Sequence, residues 1–335
     1  MKTLVTGSTG LLGSHIVEAL LAQGHEVRAL ARVTSNISHL KTTGAEIVFG
    51  DIEDYDSLRP AVEGVDLVFH AAARVTPGWG KWEEFEACIV KGTENMLRAS
   101  TEAGVSRFLY VSSADIYGKA HSRDTPADEA TSPELAFNID TYYHWAKLQA
   151  EQLALDYHKQ GKLPVTVIRP SMIYGPRDRL LTDRFFGLVN NPIVMWPGKS
   201  NPRSALVFAS DVADCAVLAA SSDRTVGQVY NIAPPEERRF RDFAAALARA
   251  MGKSERQWNI PLGLVYAVAA LMEWWAKLRR AKQMPFLSRT DLRLFEDGMY
   301  IDGSKFRKEL GWEPKVSMDE GTRLYVQWRR SQRKK

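Results

Sequence analysis

The chain has 335 residues and a mass of 37.6 kDa, with 45% apolar and 25% charged side chains, an ordinary globular composition long enough for two lobes. Its formal net charge of +4 is too mild to argue for nucleic acid, and the visible excess at Arg329, Arg330, Arg333, Lys334 and Lys335 fits a solvated terminus. The two cysteines, Cys88 and Cys215, stand in apolar helical stretches without metal-ligand spacing, which argues against a disulfide framework or a metal centre and for buried free thiols in a reducing compartment.

Residues 2–6 read as a short buried strand. From Leu11 the apolar positions Leu12, Ile16, Leu20 and Leu21 recur at helical spacing until Gly24 ends the run. Between strand and helix lies Gly7-Ser8-Thr9-Gly10-Leu11-Leu12-Gly13, spaced G-x-x-G-x-x-G. Glycines there let the backbone approach a pyrophosphate, and the exposed N–H groups of a helix start favour its negative charge. These seven residues are therefore the candidate cofactor cradle. A strand beginning at residue 2 leaves no room for a signal peptide, and no uncharged apolar run approaches the roughly twenty residues of a membrane span. A cytoplasmic protein is expected.

Strand-like runs follow at residues 26–31, 45–49, 66–70, 107–112 and 164–168, with helical patterns between them, such as 82–103. The alternation predicts an α/β fold, a Rossmann-type doubly wound parallel sheet over residues 1–168. Beyond it, prolines punctuate shorter segments, and helices are expected near 210–221, 242–251 and 261–280. Residues 169–335 read as a smaller substrate lobe, some of whose elements return to the first sheet.

In dinucleotide folds the end of the second strand meets the adenosine ribose, where an acid suits a free 2′-hydroxyl and an arginine a 2′-phosphate. Arg32 stands there with no acid nearby, which favours NADP(H) over NAD(H), with Thr34 and Ser35 as further donors. Asp51 and Ile52, ending the third strand, flank the adenine in this reading; Asp51 is equally suited to cap a helix. A glycine-rich loop with Pro77, Gly78, Trp79, Gly80 and Trp82 reads either as a mobile apolar lid or as tryptophan packing on the second lobe. The histidines, His70 at a strand end among them, show no ligand spacing, and no metal is expected.

The chemistry follows from Tyr143 and Lys147, four residues apart and so on one face of a helix. A free phenol titrates near 10, and acid/base work near neutrality needs a depression of roughly three units, which a neighbouring ammonium and a nicotinamide cation have the right sign to supply. The segment from Tyr110 to Gly118 ends a strand at the carboxyl edge of the sheet, where Ser113 can donate to a substrate oxygen.

The glycine turn, the Ser113 segment, the Tyr143/Lys147 pair with Glu151 following, and Ile168-Arg169-Pro170 leading to Tyr174-Gly175-Pro176-Arg177 together resemble the extended short-chain dehydrogenase/reductase superfamily over nearly the whole chain. The resemblance implies Ser113, Tyr143 and Lys147 as the catalytic set. It also implies a cofactor site lined by the glycine turn, Arg32, Asp51, Ile52, Ala71, Ala72, Ala73 and Pro170, together with Tyr143 and Lys147, and a homodimer pairing the helices at 82–103 and 143–157. Hydride would pass between nicotinamide and a carbinol or carbonyl carbon while the tyrosine carries the proton.

Nucleotide-sugar epimerases and dehydratases commonly carry a phosphate-gripping arginine where this chain has Ser204. Arg203 is one residue off, on the opposite face of a strand. This stretch, with Asp302-Gly303-Ser304-Lys305 and Leu310-Gly311-Trp312-Glu313-Pro314, is more similar to the 3β-hydroxysteroid dehydrogenase and dihydroflavonol reductase branches. The expected activity is NAD(P)-dependent alcohol/ketone interconversion on an apolar small molecule; the alternative is a nucleotide-sugar epimerase or dehydratase with recycled NAD. Two departures from the family stand out: Ile89 occupies the usual Asn position, and Ala114-Asp115 replaces the dehydratase acids, leaving Asp115 a cap or hydrogen-bonding residue.

The run 262–278 is apolar almost all round and leads into Lys277, Arg279, Arg280 and Lys282. It reads as a buried helix of the substrate lobe or, through 262–282, as a peripheral membrane contact.

Overall fold

The computed structural model describes residues 1–76, 79–119, 125–138, 140–191, 194–279, 281, 285 and 287–332; Pro77, Gly78, Arg280, Lys282 and residues 333–335 lie outside the described set. The first half alternates as its patterning predicts: β1 (Lys2–Thr6), α1 (Leu11–Ala22), β2 (Glu26–Ala31), β3 (Glu46–Phe49), α2 (Tyr55–Val62), β4 (Leu67–His70), α3 (Trp82–Phe85), α4 (Gly92–Glu102), β5 (Arg107–Val111), α5 (Tyr142–Lys159) and β6 (Val165–Pro170). The second half continues with β7 (Met172–Tyr174), α6 (Leu181–Val189), β8 (Val194–Pro197), β9 (Leu206–Phe208), α7 (Ala209–Ser221), β10 (Val229–Ile232), α8 (Phe240–Met251), β11 (Gln257–Ile260), α9 (Leu262–Leu278), α10 (Arg289–Asp297), α11 (Ser304–Leu310) and α12 (Met318–Gln332).

A seven-stranded sheet runs β10-β6-β5-β4-β1-β2-β3, every pair parallel. The strand order reverses between β1 and β4, which opens the crevice where such sheets receive ligands. Both faces are covered, so the inner strands are buried along nearly their whole length rather than at alternate residues. On one face Ile16, Val17 and Leu20 of α1 meet Val212, Ala216 and Ala220 of α7. On the other, Met96 and Leu97 of α4 and Ala146, Ala150 and Ala154 of α5 pack over Phe108 and Val165. β10 thus joins the first sheet, and α7 packs on its face, although both follow residue 169.

A separate core fills the second half, with Tyr174, Phe185, Trp196, Phe208, Phe240, Phe243 and Tyr325 fully or nearly fully buried and several rings edge-to-face. Two short parallel pairs, β7–β9 and β8–β11, frame it.

The helix expected over 82–103 is interrupted. Residues Glu86–Lys91 form a π-helical turn between α3 and α4. The wider turn shifts the register of the side chains that follow.

Candidate active site

Gly7 has φ +66, and a Cβ there would lie 2.8 Å from the backbone of Ala71 and Ala72. A Cβ on Gly13 would come within 2.2 Å of the Gly7 carbonyl oxygen. The turn therefore demands glycine at both places, and it brings the end of β1 against the turn after β4. No side chain caps the start of α1 at Gly10. Its first N–H groups face a cleft walled by backbone, a cradle that fits a dinucleotide pyrophosphate.

The cleft is part of one cavity of about 2120 Å³. Gly7, Thr9, Gly10, Leu11, Leu12 and Gly13 line it, followed by Arg32, Ser35, Asp51, Ile52 and Ala71 to Ala73 at the ends of β2, β3 and β4, and by Ser113, Tyr143, Lys147 and Pro170. The side chain of the remaining cradle residue, Ser8, is fully buried, and its hydroxyl donates to the Leu30 carbonyl at 2.7 Å, tying the turn to β2. Ser35, rather than Thr34, joins Arg32 on the wall. Asp51 caps no helix, because α2 starts after Asp54; the Asp51 carboxylate accepts from the Glu53 N–H at 3.1 Å and shapes a turn.

Tyr143 and Lys147 both project from the buried face of α5. Burial raises the phenol far above its ordinary value, the Asp115 carboxylate adds to this, and the Ser113 hydroxyl opposes it. The ammonium of Lys147 does not supply the compensating charge directly in this arrangement. It donates to the Val111 carbonyl at 2.6 Å and lies 4.9 Å from the centre of the Tyr110 ring, and burial lowers its pKa to about 8. The Ser113 hydroxyl donates to Asp115 at 3.1 Å and accepts from the Asp115 N–H, so Asp115 orders the serine while facing the cavity.

Behind this wall a buried chain of polar contacts ties four elements. Glu151, one turn beyond Lys147, accepts from the Nε of Arg169 at 3.0 Å and from its Nη2 at 2.5 Å. Arg169 donates onward to the Tyr117 hydroxyl at 2.7 Å, which donates to Asn231 at 2.8 Å. The position of α5 against the sheet is thus fixed by charge pairing as well as by alanine packing.

His70 sits in a second network. The Thr93 hydroxyl gives its proton to the Ile89 carbonyl at 2.6 Å, so it accepts from His70 Nε2 at 3.1 Å. Nδ1 is then the acceptor, and Thr6 donates to it at 2.8 Å while receiving the Ala72 N–H. Ile89 itself is buried core, which accounts for an apolar residue where the family carries Asn.

Sequence reasoning missed two features of the wall. Cys88, on the π-turn, is only partly buried and faces the cavity; its thiol is pushed up by burial. Met195, Pro197, Ile260, Leu264, Val265 and Val268, spread over three elements of the second half, form its apolar end, which no local pattern announces. Trp82 does not cover the cavity: it packs edge-on against Phe137 and Tyr142, 5.1 and 5.8 Å between centroids.

Residues 3–233 match the NAD dependent epimerase/dehydratase family. The chain belongs to this family. The ketoreductase of Stigmatella aurantiaca named for 4-hydroxy-2-methyl-3-oxo-4-farnesyl-3,4-dihydroquinoline-1-oxide is 29% identical over 96% of this chain and 94% of its own length. The 3 beta-hydroxysteroid dehydrogenase/Delta 5-->4-isomerase of Mycobacterium tuberculosis is 30% identical over 93% of this chain and 86% of its own. The crystal structure of gox2253 superposes with a TM-score of 0.79 at 30% identity, covering 98% of each chain. The protein is an NAD(P)-dependent oxidoreductase of the extended short-chain dehydrogenase/reductase type.

Proposed function

We propose that the protein interconverts a secondary alcohol and a ketone on an apolar small molecule, with NADP(H) preferred. One observation carries this reading: the cavity that holds Ser113, Tyr143 and Lys147 ends in aliphatic side chains, while the place of a sugar-nucleotide clamp is withdrawn. Ser204 is fully buried off the cavity wall, and Arg203 is engaged with Glu237 and the Tyr300 ring. The names of the Stigmatella and mycobacterial relatives, a ketoreductase and a hydroxysteroid dehydrogenase, support the same substrate class.

In this reading the glycine cradle and the start of α1 hold the pyrophosphate, and the Arg32 guanidinium, with Ser35, pairs with a ribose 2′-phosphate. Bound nicotinamide supplies or accepts the hydride. Ser113 donates to the carbonyl oxygen and Tyr143 transfers the proton to or from it. Lys147 leaves the Val111 carbonyl for the nicotinamide ribose hydroxyls, where its charge favours the phenolate. The aliphatic end excludes water and seats the substrate's apolar part. A cytoplasmic location, supported by two unpaired cysteines, a homodimer through α4 and α5, and peripheral membrane contact through 262–282 complete the proposal.

The test is a cofactor titration followed by turnover on apolar ketones and on nucleotide sugars. NADPH should bind about tenfold to a hundredfold more tightly than NADH, and Arg32→Ala should remove that difference. Tyr143→Phe should keep NADPH binding and lose about a hundredfold to ten-thousandfold in ketone reduction. Interconversion of a sugar nucleotide without net cofactor turnover would overturn the reading.

A further inference from the structure

The helix α9 was expected to be buried or to lie on a membrane, and only Val265 and Ala269 of its seventeen residues are buried. Leu264, Val268, Leu271, Trp275 and Leu278 are exposed, at spacings of four and three residues, so they form one stripe, with Trp274 beside it. Leu271 and Trp274 are 64% and 57% exposed. A stripe of this size on a soluble surface marks a contact.

The stripe is continued by the small sheet next to it. Trp258 of β11 and Met195 of β8 stand opposite each other in register and are 55% and 54% exposed. Cations frame both ends of the patch: the Arg256 guanidinium lies 5.3 Å from the Trp258 ring centre, and that of Arg279 lies 4.3 Å from Trp275, with Lys277 exposed between the tryptophans and the helix end. The only acidic residue of α9, Glu273, is turned onto Arg289, accepting from its Nε at 2.9 Å. An apolar face edged by indoles and cations, with its one carboxylate withdrawn, matches the depth profile of a lipid surface: hydrocarbon, interfacial ring, anionic phosphate.

The patch also meets the catalytic cavity. Met195, Leu264 and Val268 are exposed on it and line the cavity at the same time. We propose that α9, with Trp258 and Met195, is a docking surface for an anionic lipid bilayer, set so that the cavity mouth opens into the lipid. An apolar substrate then passes between membrane and site without crossing water. This step rests on the apolar-substrate reading; the docking itself does not.

The test needs no substrate. The full chain is floated with phosphatidylcholine vesicles with and without phosphatidylglycerol, and its tryptophan emission is read with bromine-labelled lipids. Binding should require phosphatidylglycerol, weaken by about tenfold or more in Leu271→Gln/Trp274→Gln and in Lys277→Glu/Arg279→Glu, and be relieved by salt. Bromolipid quenching should diminish in Trp258→Phe, which places the mouth in the lipid. NADPH binding by each variant reports that it is folded. Absence of vesicle binding by the wild type, binding that the variants leave unchanged, or quenching that Trp258→Phe leaves unchanged overturns the proposal. So does sedimentation of the wild type as an oligomer that Leu271→Gln/Trp274→Gln dissociates, since the stripe would then be the seam between two copies. A protein that docks on vesicles yet reduces no apolar ketone keeps the surface and refutes the activity.

Discussion

His70 and His15 are held neutral by the positions they occupy. Burial lowers His70 to about 3, with the Lys147 charge adding to it, and lowers His15 to about 4, with Arg177 adding. An ordinary histidine titrates near 6.5, so as pH falls below that value the unfolded chain takes up protons that the native state refuses. Stability from this source is complete above about 6.5 and is lost on the way down towards the two folded values. Together the pair should cost roughly 3–4 kcal/mol between about pH 7 and pH 5, read by urea denaturation. His15→Gln/His70→Gln should flatten that slope, and an unchanged slope would refute the assignment. The motif residues were legible at this scale because each needs a particular chemistry at a fixed spacing. The direction of the Ser8 side chain was not, since a serine whose hydroxyl faces a phosphate and one whose hydroxyl braces the turn look alike in the sequence.

At the scale of elements, α5 carries Tyr143 and Lys147 and is anchored by an ion pair whose side chains are only 3% and 10% exposed. A buried pair contributes little when intact, but loss of one partner leaves an uncompensated charge. Glu151→Leu is expected to destabilise the protein by about 3–5 kcal/mol in chemical denaturation, and Glu151→Leu/Arg169→Met to recover much of it. Equal loss in both would mean that the network's hydroxyl and amide partners, Tyr117 and Asn231, dominate. Six of the seven strands of the first sheet were readable to within a residue or two from their apolar runs, whereas β10 was not expected at all. The π-turn at Glu86–Lys91 was not readable either, since the apolar periodicity on either side is helical and the extra residue is accommodated by packing against α5. Burial of α9 was misjudged for a related reason: an all-round apolar helix states that water is unfavourable, not which phase replaces it.

For the whole molecule, the cavity joins both halves of the chain. Arg177, held at φ +74, reaches back from the second half to α1, donating to Ser14 at 2.7 Å and pairing with Glu18 at 2.6 Å. Such bracing supports a backbone conformation that costs on the order of 1–3 kcal/mol when left to itself. Cofactor that binds only the assembled cleft must stabilise the fold by mass action. NADPH at about a hundred times its Kd should add about 2.7 kcal/mol to unfolding, and this gain should fall in Arg32→Ala, measured by thermal or urea unfolding. No helix among the described residues is long and apolar enough to cross a membrane.

The sequence by itself determined the parallel sheet, the glycine turn, the placing of Tyr143 and Lys147 on one helix face, and Arg32 just beyond the second strand. These are local facts, set by periodicity, by backbone freedom or by one residue type at one spacing. Only the tertiary structure decided that Lys147 bonds the Val111 carbonyl, that Cys88 faces the cleft, that β10 completes the first sheet with α7 packed on it, and that β8, β11 and α9 form the apolar end of the cavity while α9 bares an apolar stripe. Each of those depends on contacts between residues far apart in the chain, whose free energy comes from burial and pairing across the fold.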